Sequence, residues 1–158
     1  MLLKRLCEKL KSNQVAYALV GGHAVALHGA VRGTVDIDFV IRWNKTNLTN
    51  AESLLKELGL ISRLPITADE VFSFRDEYIK NRNLIAWNFY NPDNLAEQVD
   101  LIIDFDLSGK SIVNMTVGEV EMSVISIKQL INMKKKSARP QDLADIEALK
   151  KIAERESK

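Results

Sequence analysis

Between Val20 and Val40 the chain reads VGGHAVALHGAVRGTVDIDFV, and this stretch constrains the fold more than any other. The apolar run from Ala16 to Val20 predicts a short buried strand, which Gly21-Gly22 closes. His23 to His28, carrying Ala24, Ala26 and Leu27, predicts a helix that Gly29 ends. Residues 34–41 then alternate and predict a second strand. Residues two apart on a strand face the same way, so Asp36 and Asp38 share one side and Val35, Ile37 and Phe39 the other. Two carboxylates held that close repel each other and need a partner. A hard divalent cation such as Mg²⁺ supplies one. The glycine turn offers backbone N–H groups beside a helix start, which suits a phosphate.

The rest of the chain supports one α/β domain over residues 1–158, a core of about 14–125 followed by a helical part, 126–158. Leu2, Leu3, Leu6 and Leu10 recur at helical spacing over residues 2–12. A helix is predicted over 47–58, stopped by Gly59, and a short one near 68–72. Strands are predicted over 83–90 and 98–105 and as a hairpin around Gly118-Glu119. Helices over 126–136, with Ser126 as N-cap, and 140–153, entered through Pro140, complete a mixed sheet flanked by helices.

Composition narrows the class without naming a function. Hydrophobic residues make up 46% and charged residues 27%, as in ordinary globular proteins. A net charge of +1 gives no overall nucleic-acid footprint. The single cysteine, Cys7, excludes an internal disulfide, reads as a small core residue, and suits a reducing cytoplasm. No apolar run approaches the ~20 residues of a membrane span, and the N-terminus is too charged for a secretory signal. His23 and His28 are five apart, the wrong spacing for a shared metal on a helix face, and read as structural. Trp43, Phe72, Phe74, Trp87, Phe89 and Tyr90 read as core or cleft wall. Lys134, Lys135 and Lys136 form a solvated face or a set of phosphate contacts.

Two-metal nucleotidyl transfer needs a third carboxylate beside the first pair. Asp100, between Val99 and Leu101, is favoured over Asp104 on the same strand face. Gly21-Gly22, Asp36-Ile37-Asp38 and Asp100 together resemble the signature of the nucleotidyltransferase superfamily, whose fold is shared with DNA polymerase beta. The string GGHAVALHGAVRGTVDIDF, with Lys134, Arg139-Pro-Gln-Asp142 and Asp145 downstream, is similar to the minimal AbiEii-type enzymes of toxin–antitoxin and phage-defence systems. The turn here is Gly-Gly-His where Gly-Ser is usual, and the chain is short for a full AbiEii toxin.

The resemblance implies transfer of a nucleoside monophosphate from an NTP to an acceptor hydroxyl, on an RNA 3′ end or a protein. Asp36, Asp38 and Asp100 would be the catalytic, metal-binding acids for two Mg²⁺ or Mn²⁺ ions. Gly21, Gly22, Arg32 and Lys134 would bind the nucleotide, and Asp142 and Asp145 would orient Lys134 or Arg139. A partner protein encoded nearby would fit. The competing readings are an aminoglycoside- or lincosamide-modifying nucleotidyltransferase and a silent family member acting as an antitoxin.

Overall fold

The computed structural model describes residues 1–31, 33–34 and 36–157. In chain order the helices are α1 (Leu2–Ser12), α2 (Gly21–Leu27), α3 (Lys45–Glu57), α4 (Ala68–Ser73), α5 (Arg75–Arg82), α6 (Ile127–Ser137) and α7 (Pro140–Glu156). The strands are β1 (Tyr17–Val20), β2 (Ile37–Ile41), β3 (Ile61–Ser62), β4 (Ala86–Asn91), β5 (Asn94–Ile102), β6 (Ile112–Val117) and β7 (Val120–Ile125). They form one mixed sheet in the order β3-β4-β5-β2-β1-β7-β6. Strands β2 and β5 run parallel, as do β1 and β7, while the other neighbours are antiparallel.

Strand alternation gives the sheet two unlike faces. Leu19, Phe39, Leu101 and Trp87 occupy adjacent register positions and are fully buried. Helix α1 covers this side: Leu6, Cys7 and Leu10 are buried, Cys7 bonds to the Tyr17 hydroxyl, and Arg5 pairs with Glu97 at 3.7 Å. Each large apolar side chain buried this way contributes about 1.5–3 kcal/mol relative to exposure. Asp38, Asp100 and Asn88 occupy the alternate positions and point to the opposite face. Helix α2 packs against β1, β2 and β7 with α6 beside it, and a cleft opens between α6 and the Asp38, Asp100 and Ala86 positions of β2, β5 and β4.

The predicted elements are present, with shifted ends. Strand β2 begins at Ile37, so Asp36 lies just before it rather than within it. The last β1–β2 pair is Val20 with Asp38, because the chain enters α2 at Gly21 and offers no further partner. Strand β5 starts at Asn94 and ends at Ile102, four residues earlier at its start than the alternation suggested, because the Pro92-Asp93 turn pairs it with β4 from its first residue. Helix α5 gave no periodic signal, being polar throughout and burying no residue. Phe74, expected in the core or a cleft wall, sits at the α4–α5 joint and is exposed. Ser126 caps α6 by accepting from the Gln129 N–H, and Pro140 opens α7. His28 is structural: its Nε2–H donates to the Ile125 carbonyl at 2.7 Å. No helix among the described residues is long and apolar enough to cross a membrane.

Candidate active site

A cleft of about 840 Å³ opens on the face that carries the acids. Its lining includes Gly21, Gly22, Asp36, Asp38, Asp100 and Lys134. Six of the seven residues singled out by sequence therefore meet in one place. The seventh, Arg32, lies outside the described residues.

Asp38 and Asp100 are direct register partners on the parallel strands β2 and β5, and their carboxyls are within hydrogen-bonding reach. Asp38 is pushed up to about 7, first by burial, then by the charge and hydrogen bond of Asp100, then by the charge of Asp36; Lys134 opposes the shift. Two like charges on one sheet face make ionisation of the second costly. Asp36, one residue ahead of β2, is exposed at the cleft mouth. Asp104 lies beyond the end of β5 and lines the cleft farther on, so the residue placed against Asp38 is Asp100.

Gly21 is dictated by the same geometry. Its φ is +66°, a conformation natural to glycine, and a Cβ there would run into Asp38, whose carboxyl carbon would lie 2.9 Å away. The turn and the aspartate are one packing unit. Val20, at the N-cap of α2, has no side-chain oxygen to offer the first N–H groups of the helix.

The basic side of the cleft is more ordered than the lysine run suggested. Lys134 is buried, with its ammonium 3.3 Å from Asp142 Oδ1 and 2.9 Å from Asp145 Oδ2. Asp145 Oδ1 accepts from Gln141 Nε2 at 3.0 Å. Asp142 Oδ2 accepts from both the backbone N–H and the Nε of Arg139, at 3.1 and 3.0 Å. Burial alone would raise Asp142, but hydrogen bonds from Arg139, Ser137 and Lys134 outweigh it and hold the carboxyl well below the usual range. Arg139 is anchored at Nε yet 74% exposed, and it lines the cleft. The sequence resemblance gives it only as a residue that Asp142 or Asp145 would orient; the structure places it in the cleft as a cation. The i,i+3 spacing of Arg139 and Asp142 at a helix start was the signal available.

Asn88 was not anticipated. It sits on β4 opposite Asp100, and its Nδ2 donates to Asp100 Oδ1 at 2.7 Å. No spacing in the sequence announces a contact that depends on the β4–β5 register. Ile85, Ala86, Ile102 and Phe105 supply an apolar wall.

No group of three His, Cys, Asp or Glu side chains among the described residues converges closely enough to hold a metal ion. Asp38 and Asp100 do meet, and a pair of like charges disfavouring its own ionisation is the donor chemistry a hard cation relieves.

No protein-family model and no curated protein sequence matches the chain. Its fold does match solved structures. The lincosamide antibiotic adenylyltransferase LnuA, solved with lincomycin bound, superposes with a TM-score of 0.64 at 15% identity, covering 95% of each chain. The antibiotic-resistance factor ANT(2″)-Ia gives 0.63 at 10% identity, over 94% of this chain and 80% of that one. An antigenic nucleotidyltransferase-like protein from Paracoccidioides brasiliensis gives 0.61 at 18% identity, over 94% of this chain and 73% of that one. At these identities the likeness establishes the architecture: the chain has the nucleotidyltransferase fold.

Proposed function

We propose that the protein is a metal-dependent nucleotidyltransferase that moves a nucleoside monophosphate from an NTP to an acceptor hydroxyl. The observation that carries this reading is the Asp38–Asp100 pair, packed against Gly21 at the floor of a cleft with a basic wall. Asp38 and Asp100 would hold the divalent cations, Mg²⁺ or Mn²⁺, and Asp36 would have to turn in from the cleft mouth to join them. Bound there, the cations would neutralise the triphosphate and lower the pKa of the attacking hydroxyl.

The chain's own residues supply the rest. Asp100 accepts the acceptor's proton as its oxygen bonds to the α-phosphorus. The bond from that phosphorus to the bridging oxygen breaks, and pyrophosphate leaves. Gly21 and Gly22 let the phosphates approach the backbone closely. Arg139, anchored through Nε, turns the rest of its guanidinium to the β- and γ-phosphates, where a fixed cation stabilises developing charge. Lys134 reinforces this wall from beneath, by fixing Asp142, rather than as a mobile phosphate ligand.

The resemblance of the Gly21–Phe39 string and of the Lys134–Asp145 region to AbiEii-type enzymes favours an RNA 3′ end or a protein as acceptor, in toxin–antitoxin or defence biology. A second reading, an antibiotic acceptor, is favoured by the full-length fold match to LnuA and by the acids Asp36 and Asp104 in the cleft, which suit a cationic drug. The deciding experiment supplies α-labelled NTPs and Mg²⁺ or Mn²⁺ with total RNA, cell protein, lincomycin or an aminoglycoside. Label that enters one acceptor class, and is lost in Asp38→Ala and Asp100→Ala, establishes the reaction and its acceptor. Absence of both transfer and metal-dependent NTP binding sinks the reading.

A further inference from the structure

We propose that Asn88 is a positioning residue that sets the orientation of Asp100, and that Arg63 in turn sets Asn88. The inference rests on the reading above, in which Asp100 takes part in the reaction.

The geometry is a relay from the segment after β3 through β4 to β5. Asp100 Oδ1 accepts the Asn88 Nδ2–H at 2.7 Å. Asn88 Oδ1 accepts the Arg63 Nε–H at 2.7 Å. A guanidinium carries donors only, so it can face only the oxygen end of the amide. That removes the two-way ambiguity of the amide and forces its NH₂ group toward Asp100. Arg63 is fixed in its own right. Its guanidinium stacks 4.5 Å from the centre of the Tyr90 ring, its Nη2 reaches Gln98 Oε1 at 3.4 Å, and its backbone N–H donates to the Asn88 carbonyl at 2.9 Å. The backbone bond ties the segment just after β3 to β4, so the relay is built on paired strands rather than on a free loop.

The consequence falls on the Asp100 carboxyl. With Oδ1 held by a donor, Asp100 cannot swing freely about its side-chain bonds, and its carboxyl stays turned toward Asp38 and the cleft, where a cation or a reacting hydroxyl would meet it. Misplacement of a catalytic group by about 1 Å can cost about 100-fold in rate. A carboxylate open to a cleft on one side would otherwise sample several rotamers.

The test uses Asn88→Leu, which keeps the branched shape and heavy-atom count and removes the donor, with Arg63→Ala and Arg63→Lys at the exposed end. Mn²⁺ alone is titrated by electron paramagnetic resonance. NTP transfer is then resolved into kcat and KM, and thermal unfolding is recorded for every variant. We expect Asn88→Leu to weaken Mn²⁺ binding several-fold and lower kcat about tenfold or more, with the KM for NTP within about twofold. Arg63→Ala should move the same quantities less, and Arg63→Lys should restore part of the loss. Wild-type Mn²⁺ affinity and kcat in a folded Asn88→Leu protein would overturn the inference. So would an equal rise in KM without a change in kcat. If wild type transfers and Asp100→Ala does not, while Asn88→Leu matches wild type, this inference alone falls. If wild type neither binds Mn²⁺ nor transfers, the nucleotidyltransferase reading falls and takes the inference with it.

Discussion

The space that a Cβ on Gly21 would fill is occupied by the carboxylate of Asp38. One residue closes β1 and the other lies in β2, and Val20↔Asp38 is the register pair that brings them together. Gly21→Ala therefore has two costs: a left-handed backbone, about 1–2 kcal/mol, and a collision with Asp38. In an Asp38→Ala background the collision with the carboxyl is gone, and what remains is the backbone cost and a close contact of 3.1 Å with the Cβ at position 38. A double-mutant cycle on unfolding free energy should show Gly21→Ala costing clearly less in the Asp38→Ala protein than in wild type. Equal costs in the two backgrounds would mean that the two residues do not share this space.

Asp38 gives the protein a pH dependence of definite sign. Its pKa rises from the ordinary 3.8 to about 7 on folding, because burial and Asp100 disfavour its charge. The folded state thus binds more protons than the unfolded state between those values, and stability falls as pH rises from about 4 to about 7. Asp38→Asn should flatten the fall in melting temperature over this window. Divalent cations compete with the same proton, so Mg²⁺ should raise the melting temperature more at pH 8 than at pH 5.5. A Mg²⁺ effect independent of pH would count against a cation at this pair.

Lys134 sits between two buried carboxylates, and its loss should be felt first as instability. Removing one member of a buried ion pair typically costs about 3–5 kcal/mol, because the partner's charge is left without compensation. Lys134→Met should destabilise by about that much, and Asp142→Asn should relieve part of the cost by removing one of the stranded charges. Asp142 itself, depressed on folding, adds stability above its unfolded pKa, and that contribution is lost as pH falls below about 4. Denaturant unfolding of the single and double variants tests both points. A Lys134→Met protein as stable as wild type would show that the pair is not holding α6 to α7.

Much of this arrangement was legible in the chain. Strand alternation at Ile37–Phe39 put Asp38 opposite the apolar side, and the apolar flanks of Asp100 put it on a partner strand. Helix ends were legible where a residue carries the signal itself, as with Ser126 and Pro140. What was hidden depends on register or on long-range pairing. Asp36 reads as a strand residue until one knows that β1 stops at Val20, so that the β1–β2 ladder ends at Asp38. Asn88 is an ordinary polar strand residue until β4 and β5 align it with Asp100. Lys134 looks like one of three equivalent lysines, and only the packing of α7 on α6 buries it while Lys135 and Lys136 stay exposed.

Arg139 separates binding of the phosphates from integrity of the fold. Its side chain is 74% exposed, so replacing it removes little packing. Its Nε is committed to Asp142, which fixes the direction of the guanidinium without consuming its terminal nitrogens. If that guanidinium meets the β- and γ-phosphates, Arg139→Ala should weaken NTP binding about tenfold or more, as expected for one charge-assisted hydrogen bond of about 1.5–3 kcal/mol. Binding of the corresponding NMP, which lacks those phosphates, should be unchanged. Arg139→Lys should recover the charge but not the anchored planar geometry, and so fall between the two. Asp142→Asn should weaken NTP binding in the same direction, because the guanidinium loses its anchor. Calorimetric titrations with NTP, NMP and tripolyphosphate provide the comparison. Equal weakening for NTP and NMP would move Arg139 away from the β- and γ-phosphates, and no weakening for either would remove it from the nucleotide site.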